Sequence, residues 1–296
     1  MTTNALLLDD EFLGFSVEEG VLIALSIDGV AAAHDAHRRL PDGGPTFEIV
    51  RERLARLLAV RPYSSVLVVV NPDTAGHLAE SVAFLLDAGA RYLIVSLNYA
   101  ADRSESDLRR LKRELRKLAR LYLTRTRAGA KFYLSPFETK ISSHVNRHCD
   151  HSERCELAQR QISVAPDGHL YPCVQFTRAG PASEWCIGHV DTGIDEAART
   201  RARARSEEVK PECAGCAIRD RCNHTCGCLN WQATGSLNRV SGVLCRYERM
   251  LLPIVDRVAK RLYRMRDAHF LHKHYNSAWP VLSLLDDVAT YRRSTR

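Results

Sequence analysis

Three runs of apolar, largely β-branched residues mark the first hundred positions: Val21–Ile27 (VLIALSI), Val66–Val70 (VLVVV) and Tyr92–Leu97 (YLIVSL). Unbroken apolar runs of this length predict strands covered on both faces, as in a parallel sheet. Between them the period changes to that of a helix. From Phe47 to Val60 the apolar positions are Ile49, Val50, Leu54, Leu57 and Leu58, and from Thr74 to Ala88 they are Leu78, Val82, Leu85 and Leu86, with Gly89 as a C-cap type residue. After the third run, Leu108, Leu111, Leu115, Leu118 and Tyr122 form one more stripe. A repeating βα pattern predicts an α/β layer or part of a barrel. Three strands alone would leave two open parallel edges, which soluble proteins cover or pair. Ser26, Asp28 and Gly29 close the first strand, Asn71 the second and Asn98 the third. Such folds place ligands at strand C-termini, although Asp-Gly and Asn-Pro also begin ordinary loops.

Composition narrows the class. The 296 residues are 45% hydrophobic and 26% charged, the balance of a soluble globular protein, and no stretch approaches the roughly 18 apolar residues of a membrane span. Met1–Phe12 carries acidic but no basic residues, which does not fit a secretory leader and predicts a reducing, cytoplasmic setting. The net charge is +7, and Arg103–Arg127 alone holds ten basic against three acidic residues. That segment reads as the solvated face of an amphipathic helix or as a docking surface for an acidic partner or nucleic acid. No nucleic-acid motif accompanies it.

The cysteines change the picture most. All ten lie between Cys149 and Cys245. Cys213-Ala-Gly-Cys216 is followed by Cys222 and Cys226; upstream, Cys149 and Cys155 precede Gly168-His-Leu-Tyr-Pro-Cys173; Cys245 lies downstream. CxxC delivers two thiolates from one turn, and these eight cysteines suffice for two tetrathiolate metal sites, leaving Cys186 and Cys228 over. Buried free thiols are the plainer reading, and spacing alone does not choose iron over zinc.

The order C-x12-G-x4-C, CxxC-x5-CxxxC, C resembles the SPASM domain that closes many radical S-adenosylmethionine (radical SAM) enzymes acting on peptides and proteins. The match runs through Cys155, Cys173, Cys213, Cys216, Cys222, Cys226 and Cys245, with Cys149 as the extra upstream ligand. By that resemblance Cys149, Cys155, Cys173 and Cys226 hold auxiliary [4Fe-4S] cluster I, and Cys213, Cys216, Cys222 and Cys245 hold cluster II. The first half is similar to the same enzymes. Thr3-Asn4-Ala5 with Leu7-Leu8 resembles the segment closing their third barrel strand; Ser26-Ile27-Asp28-Gly29 with His34-Asp35 and Arg38, then Gly44–Phe47, resembles their fourth-strand signature. The resemblance places Ser26 and Asp28 near the S-adenosylmethionine.

The implied fold is α/β: a partial (β/α) barrel of about three C-terminal βα units over 1–140, a Cys-rich α+β SPASM domain over 141–250, and a helical tail over 251–296. The family's catalytic cluster motif, CxxxCxxC, is absent. The expectation is therefore the C-terminal portion of a radical SAM/SPASM enzyme, unable to cleave S-adenosylmethionine alone. S-adenosylmethionine and a third cluster would enter only with a missing N-terminal part, whether lost from this sequence or supplied as another chain. The alternative is a non-catalytic iron–sulfur relay or peptide scaffold. Sulfatase maturases of the family place an Asp base directly after the residue matching Cys173; here stands Val174. That does not favour formylglycine formation; the resemblance implies a ribosomally made precursor peptide or protein as partner, with ferredoxin or flavodoxin as electron donor. In the tail, 243–266 reads as an amphipathic helix that Pro253 kinks or bounds, and His269, His272 and His274 read as surface histidines.

Overall fold

The computed structural model describes residues 1–147, 156–159, 161–207, 210–279, 281–283 and 285. They form two compact units: Met1–Leu97 with Glu105–Asn146 and Leu251–Arg296, and Asn98–Ser104 with Arg147–Met250.

The first unit is built on a parallel sheet of five strands in sequential order: β1 Thr2–Thr3, β2 Ala24–Ser26, β3 Ser65–Val70, β4 Tyr92–Leu97 and β5 Tyr133–Leu134. The sheet is wider than the three apolar runs predict, because β1 and β5 have two residues each and carry no periodicity. Short edges of this kind offer little template for foreign strands. The register aligns Leu25, Val66 and Leu93, all fully buried, while Ser26, Leu67 and Ile94 line up on the other face, half-buried. The sheet is thus sealed on one face, and not on both as the runs suggest. The strand predicted from Val21 shortens to Ala24 because β1 offers only two residues to pair.

Helices α1 (Asp10–Glu18), α2 (Ala31–His34), α3 (Phe47–Val60), α4 (Leu78–Asp87), α5 (Glu105–Arg127) and α6 (Ser135–Asn146) separate or follow the strands. The α5 stripe from Leu108 to Tyr122 is buried as its spacing requires. Glu114 interrupts it, 4% exposed, and its carboxylate accepts from the Ala79 N–H in the first turn of α4 (3.2 Å) and from Lys117 Nζ (2.6 Å). A carboxylate at a helix N-terminus satisfies an orphan donor and the helix dipole together.

In the second unit, β6 (Ser163–Val164) and β7 (Leu170–Tyr171) form one antiparallel hairpin and β8 (Gly188–His189) and β9 (Gly193–Ile194) another, followed by α7 (Glu196–Glu207) and α8 (Gly227–Thr234). The first hairpin turns at Pro166-Asp167-Gly168, where Gly168 adopts φ +85° and a Cβ would lie 2.5 Å from His189 Nε2. Its core gathers Tyr171, Cys173, Cys228 and Leu237 around an aromatic trio, with Phe176 4.5 Å from Trp185 and 4.9 Å from Trp231 between ring centroids.

Helix α9 (Gly242–Arg264) runs through Pro253, and α10 (Ala268–Tyr275) follows. Of the tail histidines, His272 is exposed as expected and His269 half-buried, but His274 is drawn inward. Phe270 and His274, one turn apart, face inward, and the His274 side chain is only 7% exposed. Burial lowers the His274 pKa to about 4, against the opposing pull of Glu138, so the ring is neutral. The same Glu138 Oε1 accepts from Lys273 Nζ (2.6 Å) and Tyr122 Oη (2.9 Å), and Lys273 also donates to the Phe132 carbonyl (2.6 Å). Among the described residues no helix is long and apolar enough to cross a membrane.

Candidate functional site

The C-terminal end of β2 opens into a closed polar network. The Asp28 side chain is 4% exposed; Oδ2 accepts from Arg38 Nε (2.7 Å), and Oδ1 accepts from Arg38 Nη2 (3.1 Å) and from the Val69 N–H of β3 (2.9 Å). The Asp28 N–H donates to His34 Nδ1 (3.2 Å), which leaves the ring proton on Nε2 to bond Thr46 Oγ1 (3.0 Å); the Thr46 hydroxyl passes on to the Arg38 carbonyl (2.7 Å). His34 is fully buried, and burial lowers its pKa, so the neutral tautomer that this chain requires is the stable one. Asp35 Oδ1 accepts from the N–H groups of Thr46 and Phe47 at 2.8 and 2.9 Å, holding the start of α3. Gly29 adopts φ +111°, and a Cβ there would come within 1.9 Å of Ser81 Cβ, so the turn out of β2 admits no larger residue.

Of the two predicted ligand-binding residues, Asp28 therefore has its carboxylate committed to Arg38 and the sheet. Ser26 is half-buried, and its hydroxyl has no hydrogen-bond partner among the described residues. Asn71 and Asn98 follow turn chemistry: the Asn71 N–H donates to Thr74 Oγ1 (3.2 Å), and Asn98 Oδ1 accepts from the Ala100 N–H (3.2 Å).

The second unit strings its thiols along single helical turns. The Cys216 N–H donates to the Cys213 carbonyl (3.2 Å), Cys222 caps the turn Arg219–Arg221, and Cys226 opens α8. Cys245 lies in the first turn of α9. Burial first, then Glu212, Cys216 and Cys245, push the Cys213 thiol up from its ordinary value. Arg249, one turn beyond Cys245, approaches Cys216 Sγ at 3.6 Å and has its own pKa raised by a hydrogen bond to Cys245, with Cys216 and Cys222 adding to it. Cys213, Cys216, Cys222 and Cys245 thus share one electrostatic neighbourhood. Cys173, 4% exposed, and Cys226 pack in the same core, where Cys226 Sγ lies 3.3 Å from Cys228 Sγ. Cys149 and Cys155 lie outside the described residues. Among the described residues no three His, Cys, Asp or Glu side chains converge tightly enough to close on an ion. The donor set nevertheless fits a soft metal. Thiols held close together lose their protons to a soft cation, which also spreads the charge they would otherwise share.

Sequence reasoning missed Arg249, which nothing in Cys245-Arg-Tyr-Glu-Arg249 sets apart from other arginines. It also missed Tyr99, whose hydroxyl pKa is pushed well up by burial, then by Tyr247, Glu248, Cys226 and Cys222. Tyr99 packs edge-on against Tyr247 at 6.3 Å and carries no motif.

No family model matches the chain. It is 25% identical over 258 residues to the serine-type anaerobic sulfatase-maturating enzyme of Klebsiella aerogenes, an alignment covering 83% of this chain and 62% of that enzyme. The Klebsiella pneumoniae enzyme of the same description is 24% identical over 258 residues, covering 83% and 63%. The chain therefore spans less than two thirds of the curated relatives it matches. Among solved structures, native anSMEcpe with bound AdoMet superimposes with a TM-score of 0.68 at 18% identity, over 88% of this chain and 75% of that one. The same protein with AdoMet and the Cp18Cys peptide gives the same figures. The chain is thus similar in sequence to anaerobic sulfatase-maturating enzymes and shares the α/β fold of an AdoMet-bound structure.

Proposed function

We propose that this chain is the iron–sulfur portion of a radical SAM/SPASM enzyme that modifies a peptide or protein. The observation that carries the reading is the gathering of Cys213, Cys216, Cys222 and Cys245 about Arg249. Those four would hold auxiliary cluster II; Cys173 and Cys226, with Cys149 and Cys155, would hold cluster I. Bound there, [4Fe-4S] clusters supply one-electron transfer and cross-link the unit. Arg249 offsets thiolate charge, and the core around Phe176, Trp185 and Trp231 keeps water from Cys173. At the β2 end, Ser26 has a hydroxyl free to meet AdoMet, whereas Asp28 acts as a positioning residue that fixes the strand end through Arg38 and Val69. The likeness to an AdoMet-bound fold and to sulfatase-maturating enzymes supports this assignment.

The chain carries no CxxxCxxC, and its own residues are not expected to cleave AdoMet without further protein. Val174, 56% exposed directly after Cys173, stands where the resemblance expects an aspartate base. It favours a ribosomally made peptide, joined through a thioether or carbon–carbon bond, over a sulfatase serine. The test is anaerobic reconstitution followed by metal analysis. About eight iron and eight sulfide per chain are expected, falling to about four of each in Cys213→Ala. Stoichiometric zinc without iron overturns the cluster assignment, and 5′-deoxyadenosine formed by the 296-residue chain alone overturns the division of labour.

A further inference from the structure

The basic face of α5 does not stand alone. Arg116 and Arg120 of α5 and Arg257 and Arg261 of α9, all exposed, rim a groove of about 270 Å³ whose floor is aliphatic, formed by Leu123, Ile254 and Val258. No carboxylate lines it, and none of the four arginines makes an ion pair among the described residues. Arg257 Nε donates to the Pro253 carbonyl (3.1 Å), which steadies that guanidinium, and its terminal nitrogens have no partner among the described residues. Protein surfaces ordinarily interleave charges of both signs; four like charges around an apolar floor, without a carboxylate partner among the described residues, repel one another until something anionic arrives.

We propose that this groove docks an acidic segment of another polypeptide. One aliphatic side chain of that segment seats on Leu123, Ile254 and Val258, and flanking Asp or Glu side chains are forked by the arginines. Guanidinium binds carboxylate through two parallel hydrogen bonds, a geometry suited to such a rim. Nucleic acid fits less well. No aromatic residue lines the groove to stack a base, and a sugar–phosphate chain has no side chain for the aliphatic floor. The reading is independent of the cysteines, since every lining residue belongs to the α/β unit.

Fluorescence anisotropy on the full chain tests it, with a labelled synthetic peptide carrying one leucine flanked by glutamates as probe. Saturable binding is expected that weakens as salt rises, and that loosens by about tenfold or more in Arg120→Glu/Arg257→Glu. Arg109→Glu/Lys112→Glu, on the same helix but outside the groove, should leave it within about twofold. Replacing the peptide's leucine by glycine should also weaken it. Equal loss in the two double variants, equal affinity of the glycine peptide, or tighter binding of a single-stranded oligonucleotide would each overturn the proposal. If the charge reversal disturbs folding, Arg116→Gln/Arg261→Gln replaces it, with a several-fold loss expected and unchanged affinity counting against the groove.

Discussion

The end of β2 and the cysteine array are both polar sites inside a folded unit, yet they are completed differently. Around Asp28 every hydrogen bond closes within the chain: carboxylate to guanidinium, imidazole to backbone N–H and hydroxyl, hydroxyl to carbonyl. Around Cys213, burial, Glu212 and the neighbouring thiols of Cys216 and Cys245 push the thiol up, and Arg249 lies against Cys216. The first network is finished by folding. On the proposed reading the second is finished only when a cation replaces the thiol protons, and its stability is then set by what binds it.

The sharpest way to break that contrast is to remove the metal. For thiolate sites the binding free energy is folding free energy, on the order of 10 kcal/mol. Chelation should therefore abolish the near-UV dichroism of Trp185 and Trp231 while the α/β unit keeps its own cooperative transition. An identical near-UV spectrum with and without metal would show the cysteine unit to be as self-sufficient as the sheet. Next in size is Asp28→Ala. Removing one partner of a buried ion pair leaves Arg38 uncompensated, and urea unfolding of the α/β unit should lose about 3 kcal/mol, the low end for such pairs because Arg38 is a quarter exposed. An unchanged midpoint would mean that the network is decorative.

A pH dependence matches the Asp28→Ala loss in size but is spread over a wide pH range. His34 and His274 both have lowered pKa values in the folded chain, the latter to about 4. The unfolded chain takes up protons near the ordinary value of 6.5 while the folded chain resists, so their stabilisation is complete above that pH and declines as pH falls below it. For His274 the loss continues down to about pH 4 and totals roughly 3 kcal/mol. Urea midpoints measured between pH 7 and 4 should fall for the native sequence and fall less for His274→Gln; parallel profiles would sink the assignment.

Much of this was legible before any coordinates. β3, β4, α3 and α5 announce themselves because long elements repeat their period, and the thiols announce themselves because CxxC has few uses. β1 and β5 do not, since two residues hold no period. Ser26, Asp28, His34 and Arg38 stand out as a spaced motif, but the motif does not reveal that Asp28 and Arg38 spend their charges on each other. Tail histidines look exposed in sequence because their spacing is polar, whereas the packing of Phe270 draws His274 inward. Arg249 was invisible for the opposite reason: one arginine in a basic helix has nothing to distinguish it until the chain brings Cys216 beside it.

The bonds from Lys273 to Glu138 and to the Phe132 carbonyl join residues 135 and 141 positions apart, and most of the intervening chain belongs to the cysteine unit. The cysteine unit is thus an insertion, in the plain sense of a passage placed between the body of a domain and its last helices. Closing a loop of that size is entropically little worse than closing one half as long, since each doubling costs about 0.6 kcal/mol. Evolution could lengthen, shorten or exchange the inserted passage at small expense to its host. During synthesis, the ammonium that pairs with Glu138 arrives only after the whole inserted passage has been made.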